Sequence, residues 1–300
     1  FTAAEVLHDC GRLCRSDPLN LAKGLLRRFR DGAERRFDAV VVQHGNGADV
    51  AINMGGFEKG FGGAVTLYDA ANSGFNNEEM GTILIVGDVT KPTAVGFTSY
   101  FGDVIVLKDC TVKATGDGAF AFLSAGRNVT INGMVQSDGD VQVEAPYGNV
   151  ALGDTGSLSA ENGWVSFGYD PLSYPAYGVI GGSVDVNGRV DAAGIQIFAA
   201  QDVNASQQAV LNGTYELDVI AYGKVKMLGG VRTGVATIQG MDDVEVGEIS
   251  ANQKWNMSGD PENPIWSSVD ITSINGKVRV LGGAAVESTC EGGGVYLSSY

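Results

Sequence analysis

The amino-acid sequence predicts an all-β protein built as a parallel β-solenoid, in which short strands stack coil upon coil along one axis. The first observation behind this prediction is a recurring triplet, apolar then polar or small then apolar, with Gly, Asn or Asp close by. The second is its spacing, because two strands and their corners take about 20 residues, as in a repeated coil. The triplet occurs at residues 141–143, 150–152, 184–186, 195–197, 225–227 and 244–246.

Each triplet predicts a strand with one buried side, because alternate side chains of an extended strand point to the same face. We expect the nearby Gly and Asn residues to turn the corners in backbone conformations with positive φ. A β-sandwich with Greek-key connections shows short strands at a similar spacing, and it is the alternative fold.

Composition supports this fold and excludes one class of partner. The 300 residues include 44 Gly and only 7 Pro, and glycines between Val-rich strands favour tight corners over flexible linkers. The net charge is −15. Residues 1–37 hold 8 basic and 5 acidic residues, whereas residues 38–300 hold 12 and 30. Because so acidic a body repels phosphate, we expect no nucleic-acid partner.

Residues 1–37 follow a helical pattern and are predicted to form a basic cap on the solenoid. Thr2 and Glu5 have the spacing of a capping box, and Asp17 before Pro18 is typical of the start of a second helix. Apolar residues recur three and four apart in both helices. We expect the cap to cover the strand edges of the first coil, with residues 38–300 forming the Gly- and Val-rich body.

The body is predicted to contain two insertions and a polar loop. The loop is placed at Asn72–Met80, between two predicted strands. The insertions are placed near 169–178 and 252–266, where Pro and aromatic residues interrupt the triplets. Insertions in solenoids emerge on one face, and exposed rings suit a glycan or a protein interface. Rings folded back over their own loops are the alternative. The interface candidates are Tyr169, Tyr174, Tyr177, Trp255 and Trp266.

The last predicted strand, near Val295–Leu297, has no helix or charged segment after it. Its unpaired backbone would invite pairing with another chain, so we expect self-assembly. A cover formed by the protein's own N-terminal segment or by a loop is the alternative.

Four cysteines are candidates for disulfides, and an even number of them is typical of secreted chains. If the cap and the last coil lie at opposite ends, a bridge from Cys10 or Cys14 to Cys290 would join two subunits. Free buried thiols are the alternative. The four disulfide candidates are Cys10, Cys14, Cys110 and Cys290.

Four Asn-x-Ser/Thr sequons are candidates for glycosylation and are consistent with secretion. We expect an extracellular or cell-surface protein whose signal sequence has been removed; an excerpt of a longer chain is the alternative. No apolar run is long enough for a transmembrane helix. The sequons lie at Asn128, Asn204, Asn212 and Asn256.

Catalytic and cofactor motifs are missing from the sequence. There are only two His, and neither lies in a recognisable nucleophile motif. We therefore predict that the protein is not an enzyme and has no cofactor. Ca²⁺ held by surface carboxylates is the alternative, with one cluster at Asp138 and Asp140 and another at Asp242, Asp243 and Glu245. Solvated turns are the simpler interpretation of both clusters.

Segments such as 127–133, 148–153 and 183–188 resemble the coils of secreted parallel β-helix proteins, especially filamentous-haemagglutinin-like adhesins, and more loosely extracellular sheath and surface-layer subunits. The resemblance is one of repeat style. It implies secretion, a rod-like or sheet-like shape, and adhesion or scaffolding without chemistry. The helical basic leader, the cysteines and the irregular repeats depart from the long adhesins and favour a compact building block.

The predicted function is therefore that of an extracellular structural protein, with itself as the partner. It would assemble into a filament, sheath or surface layer through strand edges and disulfides. An adhesin or glycan-binding module is the alternative function. A polysaccharide-active β-helix enzyme is a further one, although such an enzyme needs paired carboxylates with a basic partner.

Overall fold

The computed structural model describes residues 40–44, 48–52, 65–168, 181–256, 264 and 266–300. Within these ranges the chain forms 28 strands and no helix. The predicted helical cap at residues 1–37 lies outside the described residues. The described strands form a parallel β-solenoid of about nine turns. The main prediction of fold class is confirmed, and the β-sandwich alternative is wrong because all strands of the 14-stranded and 10-stranded sheets pair in parallel.

The paired strands form three columns, which we call faces 1, 2 and 3. Face 1 is a sheet of ten short strands. It consists of β3 (Val65–Tyr68), β5 (Thr82–Ile85), β7 (Val104–Val106), β9 (Val129–Ile131), β12 (Val150–Leu152), β14 (Val184–Val186), β16 (Val203–Ala205), β18 (Val225–Met227), β21 (Val244–Val246) and β26 (Val278–Val280).

Faces 2 and 3 share one sheet of 14 strands, because its five longest strands run through both. These are β6 (Val89–Ser99), β8 (Thr111–Ala125), β13 (Ser157–Gly168), β15 (Arg189–Ala199) and β17 (Val210–Ala221). The pairing register shifts inside them, for example between Ala160 and Trp164, and this irregularity marks the corner between the two faces.

The remaining strands of the large sheet each belong to one face. Face 2 is completed by β10 (Met134–Ser137), β19 (Gly230–Thr233), β22 (Ile249–Ala251) and β27 (Val286–Ser288). Face 3 is completed by β4 (Asn76–Glu79), β11 (Asp140–Glu144), β20 (Val235–Gly240), β25 (Val269–Ser273) and β28 (Val295–Ser299). Two antiparallel pairs lie apart from the three faces: β1 (Val40–His44) with β2 (Ala48–Ile52), and β23 (Trp255–Asn256) with β24 (Trp266–Ser267).

Stacked valines form the core behind face 1. The first residue of each triplet pairs in register with its equivalent one coil away, and all these residues are buried. Identical side chains therefore repeat at the strand spacing of about 4.8 Å. Each coil buries its apolar set only by contact with the coils on either side. This column contains Val104, Val129, Val150, Val184, Val203, Val225 and Val244.

A ladder of side-chain hydrogen bonds runs along the corner where face 3 turns into face 1. Oδ1 of Asp103 accepts a hydrogen bond from the backbone N–H of Asn128 at 3.0 Å, and Oδ1 of Asn128 accepts one from Asn149 at 3.0 Å. Oδ1 of Asn149 in turn accepts the N–H of Ser183 at 2.9 Å. Further along, Oδ1 of Asp202 accepts the N–H of Lys224 at 2.7 Å. The ladder satisfies corner amides that would otherwise lack a partner and holds successive coils in register.

The predicted positive φ at corner residues is wrong for Asn, and it holds for some of the glycines. Among the described residues, positive φ occurs at Thr93, Asp109 and six glycines, and no Asn adopts it. Asn is instead needed as the acceptor in the ladder. Glycine is needed for close approach, because a Cβ at Gly148 would overlap the carbonyl group of Arg127 in the preceding coil.

The prediction of a loop over Asn72–Met80 is also wrong, because residues 76–79 form strand β4. Asn77 occupies an inward position there and is buried. Its Nδ2 donates to the backbone oxygens of Gly96 at 3.0 Å and Gly74 at 3.1 Å. A polar residue can therefore point into the solenoid at this strand, which the apolar triplet rule does not recognise.

Two coils are longer than the others. Val150 pairs with Val184, and Val244 pairs with Val278, so 34 residues separate equivalent positions in each case. The other face 1 steps from Val104 to Val244 take 19 to 25 residues. The long steps contain the two segments in which the sequence predicts insertions.

Candidate binding surfaces

The terminal coil, formed by β26, β27 and β28, is one candidate surface. Each of its strands pairs with an earlier strand on one side: β26 with β21, β27 with β22 and β28 with β25. Among the described residues, their other edges carry no partner strand. A row of unpaired N–H and C=O groups on three parallel strands is a template for a further coil.

Inward side chains of the terminal coil are exposed although their equivalents one coil earlier are buried. Val280 is 38% exposed, Val295 37% and Leu297 51%. They pair in register with Val246, Val269 and Ile271, all of which are fully buried. This end of the solenoid therefore presents an apolar surface together with open strand edges.

The two described cysteines have contrasting environments. Cys110 is buried, and burial, with the nearby carboxylates of Asp88 and Asp109, raises the pKa of its thiol to about 12. Cys290 lies partly exposed on the terminal coil, and its Sγ is 3.1 Å from Oγ of Ser268. Hydrogen bonds from Ser268 and Ser288 lower the pKa of Cys290. Both thiols are free, and Cys10 and Cys14 lie outside the described residues.

The predicted aromatic loops are described only in part. Trp255 and Trp266 lie on a short antiparallel hairpin, 40% and 42% exposed. Nζ of Lys254 lies 5.2 Å from the centre of the Trp266 ring and donates to the backbone oxygen of Glu291 at 3.0 Å. The hairpin is thereby tied to the terminal coil. Tyr169, Tyr174 and Tyr177 lie outside the described residues.

Three of the four sequon asparagines use their amide nitrogen in a hydrogen bond between neighbouring coils. Nδ2 of Asn128 donates to Asp103 at 3.1 Å, Nδ2 of Asn204 to Asp185 at 3.0 Å, and Nδ2 of Asn212 to Asp191 at 2.8 Å. In each pair the aspartate lies one coil earlier. Glycosylation joins a sugar to this same nitrogen, so at these positions it would compete with a hydrogen bond between coils. Asn256 lies on the hairpin with Trp266.

Charge is distributed differently over the three faces. The face 1 strands carry two basic and two acidic residues: Lys226 and Arg279, with Asp185 and Glu245. The strand segments that form face 2 carry four basic and two acidic residues: Lys91, Lys113, Arg189 and Arg232, with Asp191 and Glu287. Asp117 and Glu161 lie at the corner between faces 2 and 3. The described strand segments that form face 3 contain no Lys or Arg, but seven acidic residues: Glu78, Glu79, Asp140, Glu144, Glu216, Asp218 and Asp270.

Three half-buried carboxylates on the outer side of face 3 have raised pKa values, because burial disfavours their charged form. Burial, with the neighbouring carboxylate of Glu216, raises the pKa of Asp218 to about 6. Burial also raises the pKa of Glu144, although hydrogen bonds from Ser124 and Gln142 oppose the shift. The pKa of Asp270 is raised by burial too, against a hydrogen bond from Thr272. A cation bound at this face would stabilise the charged form of these carboxylates.

Aromatic rings share this outer side of face 3 with the carboxylates. Trp164 pairs in register with Gly194, and a Cβ at Gly194 would overlap the six-membered ring of Trp164. The indole therefore lies over Gly194 of the next coil, a position where the absence of a side chain leaves room for the ring. Phe120 and Phe122 stack with ring centroids 6.0 Å apart two coils earlier on the same face.

Metal-binding and membrane-spanning features can be judged only for the part of the chain that is described. There, no three His, Cys, Asp or Glu residues group closely enough to hold a metal ion. The described part likewise has no helix with the length and apolarity that a membrane span requires. The binding of Ca²⁺ by surface carboxylates stays a prediction.

Comparison with known proteins adds no family to the fold. No protein family, curated protein or solved structure matches this chain. The β-solenoid architecture is consistent with the repeat style of parallel β-helix proteins. The likeness to secreted adhesins that the sequence suggests extends to this repeat style and no further.

Proposed function

We propose that the protein is an extracellular structural subunit that assembles with further copies of itself into a filament, sheath or surface layer. The observation that carries the proposal is the terminal coil, which joins open strand edges to exposed apolar side chains. A second copy would supply the next coil, and the disulfides expected from the sequence would reinforce the contact.

Backbone pairing is the first support for this proposal. Strands β26, β27 and β28 each have one edge to which no described strand is bonded. Natural sheets blunt such edges with charge, proline or a covering element. On β28 the sequence Val295–Ser299 contains neither a charged residue nor Pro. The edge is therefore suited to pairing.

Apolar burial is the second support. Complete burial of a Val or Leu side chain contributes about 1.5–3 kcal/mol relative to full exposure. Val280, Val295 and Leu297 are already about half buried, so covering the end would recover roughly half of that for each. Contact with a second coil is the arrangement by which the same positions are covered in the interior of the solenoid.

Extracellular placement rests on sequence features. The chain contains four cysteines and four sequons, and both are typical of secreted chains. The lowered pKa of Cys290 places a reactive thiol on the coil proposed to meet another subunit.

Sedimentation velocity over a range of protein concentrations tests self-assembly. For the unmodified 300-residue chain we expect the sedimentation coefficient to rise with concentration. The variant Leu297→Lys places a charge on the apolar end and should remain monomeric. Circular dichroism should show that this variant keeps its β content, because no described coil packs on the outer side of Leu297.

The matched control is Ser159→Lys, which adds the same charge to an outward position of an interior coil. This variant should assemble as the unmodified chain does. A chain that stays monomeric at every concentration, or a Leu297→Lys variant that assembles normally, would contradict the proposal.

A further inference from the structure

The outer side of face 3 combines aromatic, amide and carboxylate side chains in registered columns. In one column Trp164 is followed by Gly194 and Glu216, each one coil further along. In the next column Ser166 is followed by Gln196 and Asp218. The columns run along the solenoid axis, so a ligand lying in this direction would meet the indole of Trp164, then the amide of Gln196, then the carboxylates of Glu216 and Asp218 on successive coils.

Trp164 provides a flat apolar platform among these columns. Its indole ring lies on Gly194, and its backbone N–H donates to Oδ1 of Asp140 at 2.8 Å. The absence of a side chain at Gly194 leaves room for the indole ring, and the hydrogen bond to Asp140 holds the backbone of Trp164. Aromatic platforms of this kind stack on the apolar face of a sugar ring and attract a nearby cation.

Charge decides which ligand suits the platform. On faces 1 and 2, aspartates that lie outward are already paired: Asp185 with Asn204, and Asp191 with both Arg189 and Asn212. On face 3, Glu216 and Asp218 lie two residues apart on one strand, and the described strand segments that form that face contain no Lys or Arg. An acidic sugar would be repelled, whereas a protonated amine would be attracted.

We infer that the Trp164 surface of face 3, made by Trp164, Gln196, Glu216 and Asp218, binds a linear glycan of amino sugars lying along the solenoid axis. The indole stacks on one sugar ring, the two carboxylates accept hydrogen bonds from protonated amines, and the Gln196 amide bonds to hydroxyl groups. Because coils repeat at about 4.8 Å, a spacing close to the length of one pyranose ring, successive sugars meet successive coils.

This surface is independent of the terminal coil. Trp164 and Asp218 lie on β13 and β17, several coils before β28. Glycan binding would therefore persist in the monomeric Leu297→Lys variant, and assembly would persist in variants of the Trp164 surface. Each proposal can fail without the other.

Isothermal titration calorimetry with a glucosamine hexamer tests the inference on the full chain. We expect saturable binding, which Trp164→Ala weakens at least tenfold because the platform is lost. The double variant Glu216→Gln, Asp218→Asn keeps shape and removes charge, and it should also weaken binding at least tenfold. The control Glu245→Gln removes a carboxylate from face 1 and should leave the affinity unchanged.

Two further ligands test whether binding needs both the sugar rings and the positive charge. The hexamer of N-acetylglucosamine has the same rings without the charge and should bind at least tenfold more weakly. Polylysine has the charge without the rings, and Trp164→Ala should weaken its binding less than that of the glucosamine hexamer, because only the attraction between the indole and a cation is lost. The inference is overturned if the glucosamine hexamer does not bind, if its affinity survives either the Trp164→Ala or the double variant, or if the acetylated hexamer binds equally well.

Discussion

Ile271 and Leu297 occupy equivalent inward positions on adjacent coils and have opposite surroundings. They pair in register on face 3, yet Ile271 is fully buried and Leu297 is half exposed. The local pattern is the same, apolar residues alternating with polar ones. The difference is that Ile271 has a coil on each side and Leu297 has a described coil on one side only. In a solenoid, burial is therefore set by the neighbouring coil and not by the strand itself.

The largest effect expected from this comparison is on the free energy of unfolding. Ile271→Ala should lower it by about 2–5 kcal/mol, because the cavity lies between two coils. Leu297→Ala should cost less than about 1 kcal/mol, because that side chain is already half in water. Urea denaturation of dilute, monomeric protein measures both. Equal losses would mean that the terminal coil is covered in solution.

Glycines in an interior coil and in the terminal coil should also differ in their effect on stability. Gly148→Ala should destabilise by about 1–3 kcal/mol, since the added Cβ would overlap the backbone of the preceding coil. Gly282 lies in the terminal coil, has open space around its Cβ position and does not have positive φ. Gly282→Ala should change stability by less than about 0.5 kcal/mol. Thermal unfolding of the two variants side by side gives the comparison, and a destabilised Gly282→Ala would contradict it.

The stability of the interior coils should depend on pH through Asp218. Its pKa in the folded protein is about 6, against an ordinary value of 3.8. The folded state therefore holds the proton more tightly, and its stability falls as pH rises from about 4 to about 6. Asp218→Asn removes this loss and should stabilise the protein at pH 7 by about 1 kcal/mol, allowing for partial exposure of the group. Below pH 4 the variant and the unmodified chain should unfold alike. A gain that persists at low pH would show a different cause.

Thiol reactivity compares the interior with the terminal coil without perturbing either. Cys290 should react readily with a thiol reagent near neutral pH, because hydrogen bonds to its sulfur lower the pKa. Cys110 should react only after unfolding, because it is buried and its pKa is raised. Mass spectrometry of peptides after brief alkylation measures the two rates. Fast labelling of Cys110 in folded protein would contradict the described core.

Much of the fold follows from the sequence alone. Triplets such as Val150–Leu152 and Val244–Val246 form the expected strands, because an alternating apolar pattern has one buried side in any sheet. Strand β4 was not predictable from that pattern, since its inward Asn77 is polar and is satisfied by backbone groups from another coil. The role of corner Asn as acceptors also depends on a partner about 20 residues away.

The candidate surfaces were predictable only in part. The apolar strand at Val295–Ser299 was predicted from the sequence, because it alternates as the other strands do. The Trp164 surface was not, because Trp164, Gln196 and Asp218 are far apart in the chain and meet only through the register of β13, β15 and β17. The sequence does contain one signal for this surface. Gly194 lies within the strand Arg189–Ala199, and a glycine inside a strand often marks a position that another group approaches closely.

Amide hydrogen exchange at increasing protein concentration tests the central claim most directly, because it reports on the strand edges themselves. We predict that exchange of the backbone amides of β26, β27 and β28 slows as concentration rises, while that of the interior strand β11 does not change. Exchange from the terminal coil that is equally fast at every concentration would contradict the claim that this coil pairs with a second copy.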